Sequence, residues 1–281
     1  MATLVASVGG GEANANASSG GASTPSSSSS SSRATQNSMS PSSSNNGVSN
    51  GTTSGSPNRS KFKVERLADE EEVITFLMEY FVTSEPILSS LNINNRNELR
   101  TLLTDVIRDC LPCPASCGTR DDQGRLTGVC LASRSTLFEK QMDRLCLYKF
   151  EDEKMRIAVE FLKYVFNRVD VIYHCEEHHI ARPIFIALVS VRPDCEHSGI
   201  GTGMLQYCVR AGASDQADGA LMLCSSNNAF QIVNRKFLPT NSWTISRIRY
   251  ADYRGEYREP PIVPQTESDN TLYVLLTKFV R

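Results

Sequence analysis

Apolar positions run unbroken from Ile184 to Val189, resume at Val191 after Ser190, and stop at Pro193. An apolar, largely β-branched run without alternation is what a strand buried on both faces requires. Beyond the proline the period changes. Gly199, Ile200 and Gly201 lead into Met204, Leu205, Cys208 and Val209, the stripe of an amphipathic helix that begins near Gly199. A strand, a glycine turn and a helix in this order aim unpaired backbone N–H groups and the positive end of a helix dipole at one point, which suits a phosphate or pyrophosphate. A tight turn in any α/β protein could share this local pattern.

The rest of the chain supplies elements to surround that unit. Phe62, Val64 and Leu67 alternate with polar neighbours as a first strand. Asp69 and Glu72 form a capping box ahead of a helix whose stripe is Val73, Phe76, Leu77, Tyr80 and Phe81, and which should end before Pro86. A second helix is expected over Asn94 to Cys110, a strand over Arg125 to Thr136 after the Asp122-Gln123-Gly124 turn, and a longer helix from Glu151. Ala220 to Cys224 reads as a short strand, followed by a helix from about Asn228 to Lys236. Trp243 to Tyr253 and Thr271 to Phe279 read as the last strands, separated by a loop containing Pro260, Pro261 and Pro264. Strands alternating with helices predict an α/β fold, a mixed sheet flanked by helices.

Composition divides the 281 residues near position 60. Residues 1–61 are Ser, Gly, Asn, Ala and Thr with almost no large apolar side chain, so they are expected to form a disordered tail, and residues 62–281 one domain. The N-terminus lacks the pattern of a signal peptide, and no apolar run approaches the roughly 20 residues of a membrane helix. A net charge of −2 with scattered basic residues argues against nucleic acid as a partner. Nine cysteines, an odd number, point to reduced thiols and a cytoplasmic location. Cys110, Cys113 and Cys117 with His174, Cys175, His178 and His179 could bind zinc, but Cys110 sits on the apolar face of a helix, Pro112 and Pro114 disrupt the loop, and Glu176 and Glu177 interrupt the histidine cluster, so no metal is expected.

The spacing Val191, Pro193, Gly199, Gly201 resembles V-x-P-x-x-[RQ]-x-x-G-x-[GA], the acetyl-CoA signature of the GNAT superfamily of N-acetyltransferases. The stretch EYFVTSEPILSSL, together with Cys224-Ser225-Ser226 and IRYADYR, is similar to the insect and nematode arylalkylamine N-acetyltransferase branch. The resemblance covers residues 62–281. It implies the GNAT fold, acetyl-CoA as co-substrate and a small-molecule amine partner of the dopamine, octopamine, tyramine or serotonin type. Val189, Ser190 and Val191, with the loop Glu196, His197, Ser198, Gly199, Ile200, Gly201 and Thr202, would hold the cofactor. Glu85 would be the catalytic base and Ser225 the acid for the departing thiolate, while Tyr80, Phe81, Tyr250 and Tyr253 would line the acceptor pocket. The chain departs from the pattern in three places: Glu196 stands where the family has Arg or Gln, Ala229 where it has Ser, and the terminal Leu-Gly-Phe is absent. These departures leave open a non-catalytic acyl-CoA-binding or regulatory protein on the same fold, or an acetyltransferase for polyamines or protein N-termini. Each proposed role also has a structural alternative: Glu85 as a solvated carboxylate, Ser225 as a helix cap, the tyrosines as strand packing.

Overall fold

The unbroken apolar run forms the central strand β5, Pro183–Val191, buried from Ile184 to its end. The structure, a computed structural model, describes residues 4–5, 62–134, 145–234, 241–255 and 270–279. In chain order the strands are β1 (Leu4–Val5), β2 (Val64–Arg66), β3 (Cys117–Arg120), β4 (Leu126–Arg134), β5, β6 (Gly219–Cys224), β7 (Ser242–Arg249) and β8 (Thr271–Lys278). They make one mixed sheet in the order β2-β3-β4-β5-β1-β6-β8-β7.

Helices cover both faces. Glu70–Phe76 is α1, which continues through a π-helical turn, Leu77–Phe81, and one helical turn, Val82–Ser84. Then come α2 (Pro86–Leu91), α3 (Arg96–Cys110), α4 (Glu153–Arg168), α5 (Val171–Glu177), α6 (Ile200–Ser214) and α7 (Asn227–Ile232). On one face α1, α3 and α4 pack on Val129, Leu131, Phe185, Leu188 and Leu223. On the other, α6 and α7 pack on Cys130, Ala132, Ile186, Val189 and Met222. The α/β layering predicted from the alternation of strands and helices is what forms.

Four local results differ from the sequence reading. The helix from Asp69 does stop before Pro86, but a new helix starts on that proline. Glu85 takes the extended conformation a pre-proline residue prefers, with ψ 123°, and its carboxylate accepts the Leu88 N–H at 2.7 Å. Short β3 and α5 had not been anticipated. The expected strand over 243–253 stops at Arg249, where Tyr250–Asp252 forms a 3-10 turn. Within the expected N-terminal tail, Leu4–Val5 forms a strand; the other residues of 1–61, the Pro260, Pro261 and Pro264 loop, Ser135 and Thr136 and the end of the helix read to Lys236 lie outside the described residues.

The cysteines are free among the described residues, and six are buried: Cys110, Cys113, Cys117, Cys130, Cys208 and Cys224. Burial pushes the Cys110 and Cys224 thiols well above their ordinary value. A raised folded value favours the protonated thiol, so its stabilising effect is whole below the unfolded value of about 8.5 and is lost as pH rises past it. Urea unfolding midpoints should therefore fall between about pH 8 and 10. Cys224→Ala should shrink that fall, and an unchanged slope would refute the assignment.

Candidate functional site

The geometry of the site begins with a phase slip in β5. Ile184, Ile186, Val189 and Val191 pack toward α6, whereas Phe185, Ala187 and Leu188 pack toward the opposite face. Two consecutive residues, Ala187 and Leu188, thus share a face. The ladder with β4 shows the cause: Leu131 pairs with Leu188 and Ala132 with Ile186, so Ala187 is an extra residue, a β-bulge. On its other side β5 pairs parallel with β6 from Pro183 to Ile186 and from Gly219 to Met222. Past the bulge that pairing ends and a crevice opens. Leu4 and Val5 lie in it, paired with Leu188 and Val189, and Val5 also with Cys224.

At the C-terminal end of β5 the chain turns through a 3-10 segment, Pro193–Cys195, to the start of α6. Gly199 is the N-cap, with φ 84°, a conformation that glycine adopts without the strain of a side chain. An added Cβ there would meet nothing within 4 Å, so the space over the turn is open. Side chains cap α1 through Asp69, α2 through Glu85, α3 through Asn95, α4 through Asp152, α5 through Asp170 and α7 through Ser226. The start of α6 has no such side-chain cap. Helix geometry leaves the first N–H groups of α6 for an outside acceptor. His197, Ser198 and Gly199 are exposed, and Glu196 and Thr202 half-buried, while Ile200 and Gly201 are buried.

Arg192 fixes this turn. Its Nε reaches Asp194 Oδ1 at 2.6 Å and its Nη1 reaches Asp121 Oδ2 at 3.1 Å, tying the end of β5 to the β3–β4 hairpin. Desolvation works against ionisation of Asp121, but N–H groups of Arg125, Arg192 and Gln123 outweigh it and hold the carboxyl at about 2. Nothing in the Val191-Arg192-Pro193 sequence discloses this role, because the partner lies 71 positions away.

Glu85 is fully buried on the α1 face. Its neighbours Phe81, Ile87 and Leu88 border an apolar cavity of about 40 Å³ that reaches Leu188 of β5. Ser190, two residues beyond Leu188, is also buried, and its Oγ has no hydrogen-bond partner among the described residues. The cavity thus joins residues on either side of Glu85 to Leu188, next to the bulge in β5. Ser225, at the end of β6, is fully buried. The helix cap there is its neighbour Ser226, which accepts the Ala229 N–H at 3.1 Å. Tyr250 donates its hydroxyl to the Ser225 carbonyl at 2.7 Å. Tyr250 and Tyr253 are buried, packed on Phe161 with ring centroids 5.3 and 5.1 Å away. Tyr80 sits apart from them, half-buried in an open pocket of about 320 Å³ with Arg125, Arg192, Pro193 and Asp194.

No family model matches the sequence, and no curated protein is similar to it in sequence. Solved structures are similar to it in fold. The chain superposes on arylalkylamine N-acetyltransferase 2 from Aedes aegypti with a TM-score of 0.66 at 16% identity, over 78% of this chain and 99% of that one. It is similar to the Drosophila melanogaster polyamine N-acetyltransferase, which forms N-acetylagmatine, with a TM-score of 0.60 at 13% identity, over 78% and 100%. The C-terminal condensation domain of Ebony, solved with β-alanyl-dopamine, gives 0.58 at 13% identity, over 79% and 100%.

Proposed function

We propose that this chain, which has the GNAT fold, is an acetyl-CoA-dependent N-acetyltransferase acting on a primary amine of the arylalkylamine class. The observation that carries the reading is the helix start without a side-chain cap, led by Gly199, that follows a bulged strand. The residues fit the cofactor: the N–H groups at Gly199 to Thr202 would receive the pyrophosphate, and the edge of β5 from Val189 to Val191 would run beside the pantetheine arm. Bound there, acetyl-CoA supplies the activated acyl group.

An alkylammonium has a pKa near 10, so about one molecule in a thousand is a free amine at neutral pH. Glu85, through water, would take the ammonium proton, and a main-chain N–H of β5 would hold the carbonyl oxygen. Ser225 would return a proton to the departing thiolate, its main chain positioned by Tyr250. The apolar lining beside Glu85 favours an aromatic or alkyl acceptor over a polycation. The open pocket at Tyr80 agrees, since its lining holds two arginines against one aspartate, Asp194, which is ion-paired with Arg192, and so is not acidic on balance.

The test is calorimetric titration of the full chain with acetyl-CoA, followed by thiol release with tyramine, dopamine, serotonin and spermidine. Turnover with the aromatic amines supports the reading, and turnover with spermidine alone transfers the site to polyamines. Binding without turnover on any amine would leave a non-catalytic acyl-CoA-binding protein. Glu196 bears on the same site. Replacing its carboxylate beside a pyrophosphate with a guanidinium should tighten acetyl-CoA by roughly tenfold. Unchanged affinity in Glu196→Arg would show that the side chain faces away.

A further inference from the structure

The last turn of α5 carries a group of donors that the proposed reaction does not use. His174 lies in the last turn of α5 and His178, four positions on, is its C-cap; their rings lie on the same side, and Glu177 precedes His178 at the helix end. Glu177 Oε2 is 3.3 Å from His174 Nδ1 and 3.8 Å from His178 Nε2. One donor atom from each of the three residues lies within 4.8 Å of the others. Metal–donor bonds of 2.0–2.1 Å at tetrahedral angles place two donors about 3.3 Å apart, so one separation already fits and the others need small rotations.

The ring of His178 is held in place. It stacks on Trp243 of the edge strand β7, with centroids 3.8 Å apart and planes 9° from parallel. The His174 ring lies 11° from parallel to His178, at 6.4 Å. The side chains are 25%, 46% and 17% exposed for His174, Glu177 and His178, so solvent can supply the fourth ligand. Cys175 is not one of the three converging donors. The set of two imidazoles and one carboxylate is borderline, of the kind that suits zinc, nickel or copper and does not suit calcium or magnesium.

We infer that His174, Glu177 and His178 form a divalent transition-metal site that fastens the end of α5 beside the edge of the sheet. The site is independent of acetyl transfer. The sequence reading expected no metal and took the glutamates among these histidines as a reason against one, whereas Glu177 is itself one of the three converging donors; Cys110, Cys113 and Cys117 do not join them among the described residues.

Trp243 is the only tryptophan in the chain and therefore a local reporter. Ni²⁺ added to the full-length protein should quench its fluorescence saturably, with one ion per chain, and Zn²⁺ should reverse the quenching by competition. His174→Ala and Glu177→Gln leave the ring stacked on Trp243 in place, and each should weaken the apparent affinity by at least about tenfold. Circular dichroism of each variant verifies that it is folded. Quenching of equal affinity in both folded variants, or no quenching at millimolar Ni²⁺, would overturn the site. Should either variant unfold, histidine Cε1–H and Cδ2–H signals in the unmodified protein decide the matter: selective broadening of two histidines by Ni²⁺ supports it, and uniform broadening of all four overturns it.

Discussion

Glu85→Gln is expected to lower kcat by at least about a hundredfold, the smaller end of what a positioned general base contributes. Glutamine is the informative replacement because Glu85 has two duties. Its carboxylate accepts the Leu88 N–H and starts α2, and an amide oxygen can continue to do so. Alanine cannot, so Glu85→Ala should also lose about 1 kcal/mol of stability. A base acts on bound amine and not on the thioester's handle, so acetyl-CoA affinity should stay within about twofold of the parent. The acidic limb of the pH–kcat profile should disappear in the glutamine variant. A Gln variant with near-parent kcat would reduce Glu85 to a helix cap.

Phe161→Ala is expected to cost about 3–5 kcal/mol, the usual range for removing a fully buried phenylalanine. For a domain of this size that corresponds to a thermal midpoint lower by roughly 10 °C, measurable by calorimetry. Phe161 of α4 is the ring on which Tyr250, Tyr253 and Tyr164 converge, at 5.3, 5.1 and 6.4 Å. Its loss therefore loosens more than packing. Tyr250 holds the Ser225 main chain, so kcat should fall along with stability even at temperatures where the variant is folded. Phe161→Leu keeps most of the volume and should recover more than half of both effects. A loss of stability with unaltered kcat would separate the aromatic cluster from the Ser225 turn.

Much of this architecture is legible in the order of apolar residues, and what is missed has identifiable causes. The strand–glycine–helix unit is visible because a doubly buried strand cannot hide polar residues and because Gly199 needs a positive φ. The bulge at Ala187 is not visible. IFIALVSV is apolar on both faces, so a slip of phase changes nothing in the pattern, and only the pairing of β4 with β5 exposes it. Pro86 was read as a stop, which it is for the helix before it. Its fixed φ and missing N–H also make it a good first residue for the helix after it. The π-helical turn at Leu77–Phe81 keeps Phe76 and Tyr80 in ring contact at 5.0 Å, so the apolar stripe continues through it unmarked. Beta strand β3 was too short, at four residues, to show a period. Glu85 and the glycine loop were singled out as candidates by local motifs. Arg192 was not, because its partner Asp121 is remote in sequence and proximity of that kind is a property of the fold.

The two-residue strand at Leu4–Val5 changes how affinity at the crevice must be understood. Any extended ligand that pairs along the edge of β5 at Leu188 and Val189 meets a strand the chain itself has already placed there. The two are competitors, one tethered and one in solution. Raising the ligand concentration moves the balance, whereas diluting the protein does not, since the tethered rival is diluted with it. The measured dissociation constant is then the intrinsic constant divided by the fraction of molecules with a free edge. If one molecule in ten were open, binding would weaken about tenfold with no change in any contact the ligand makes.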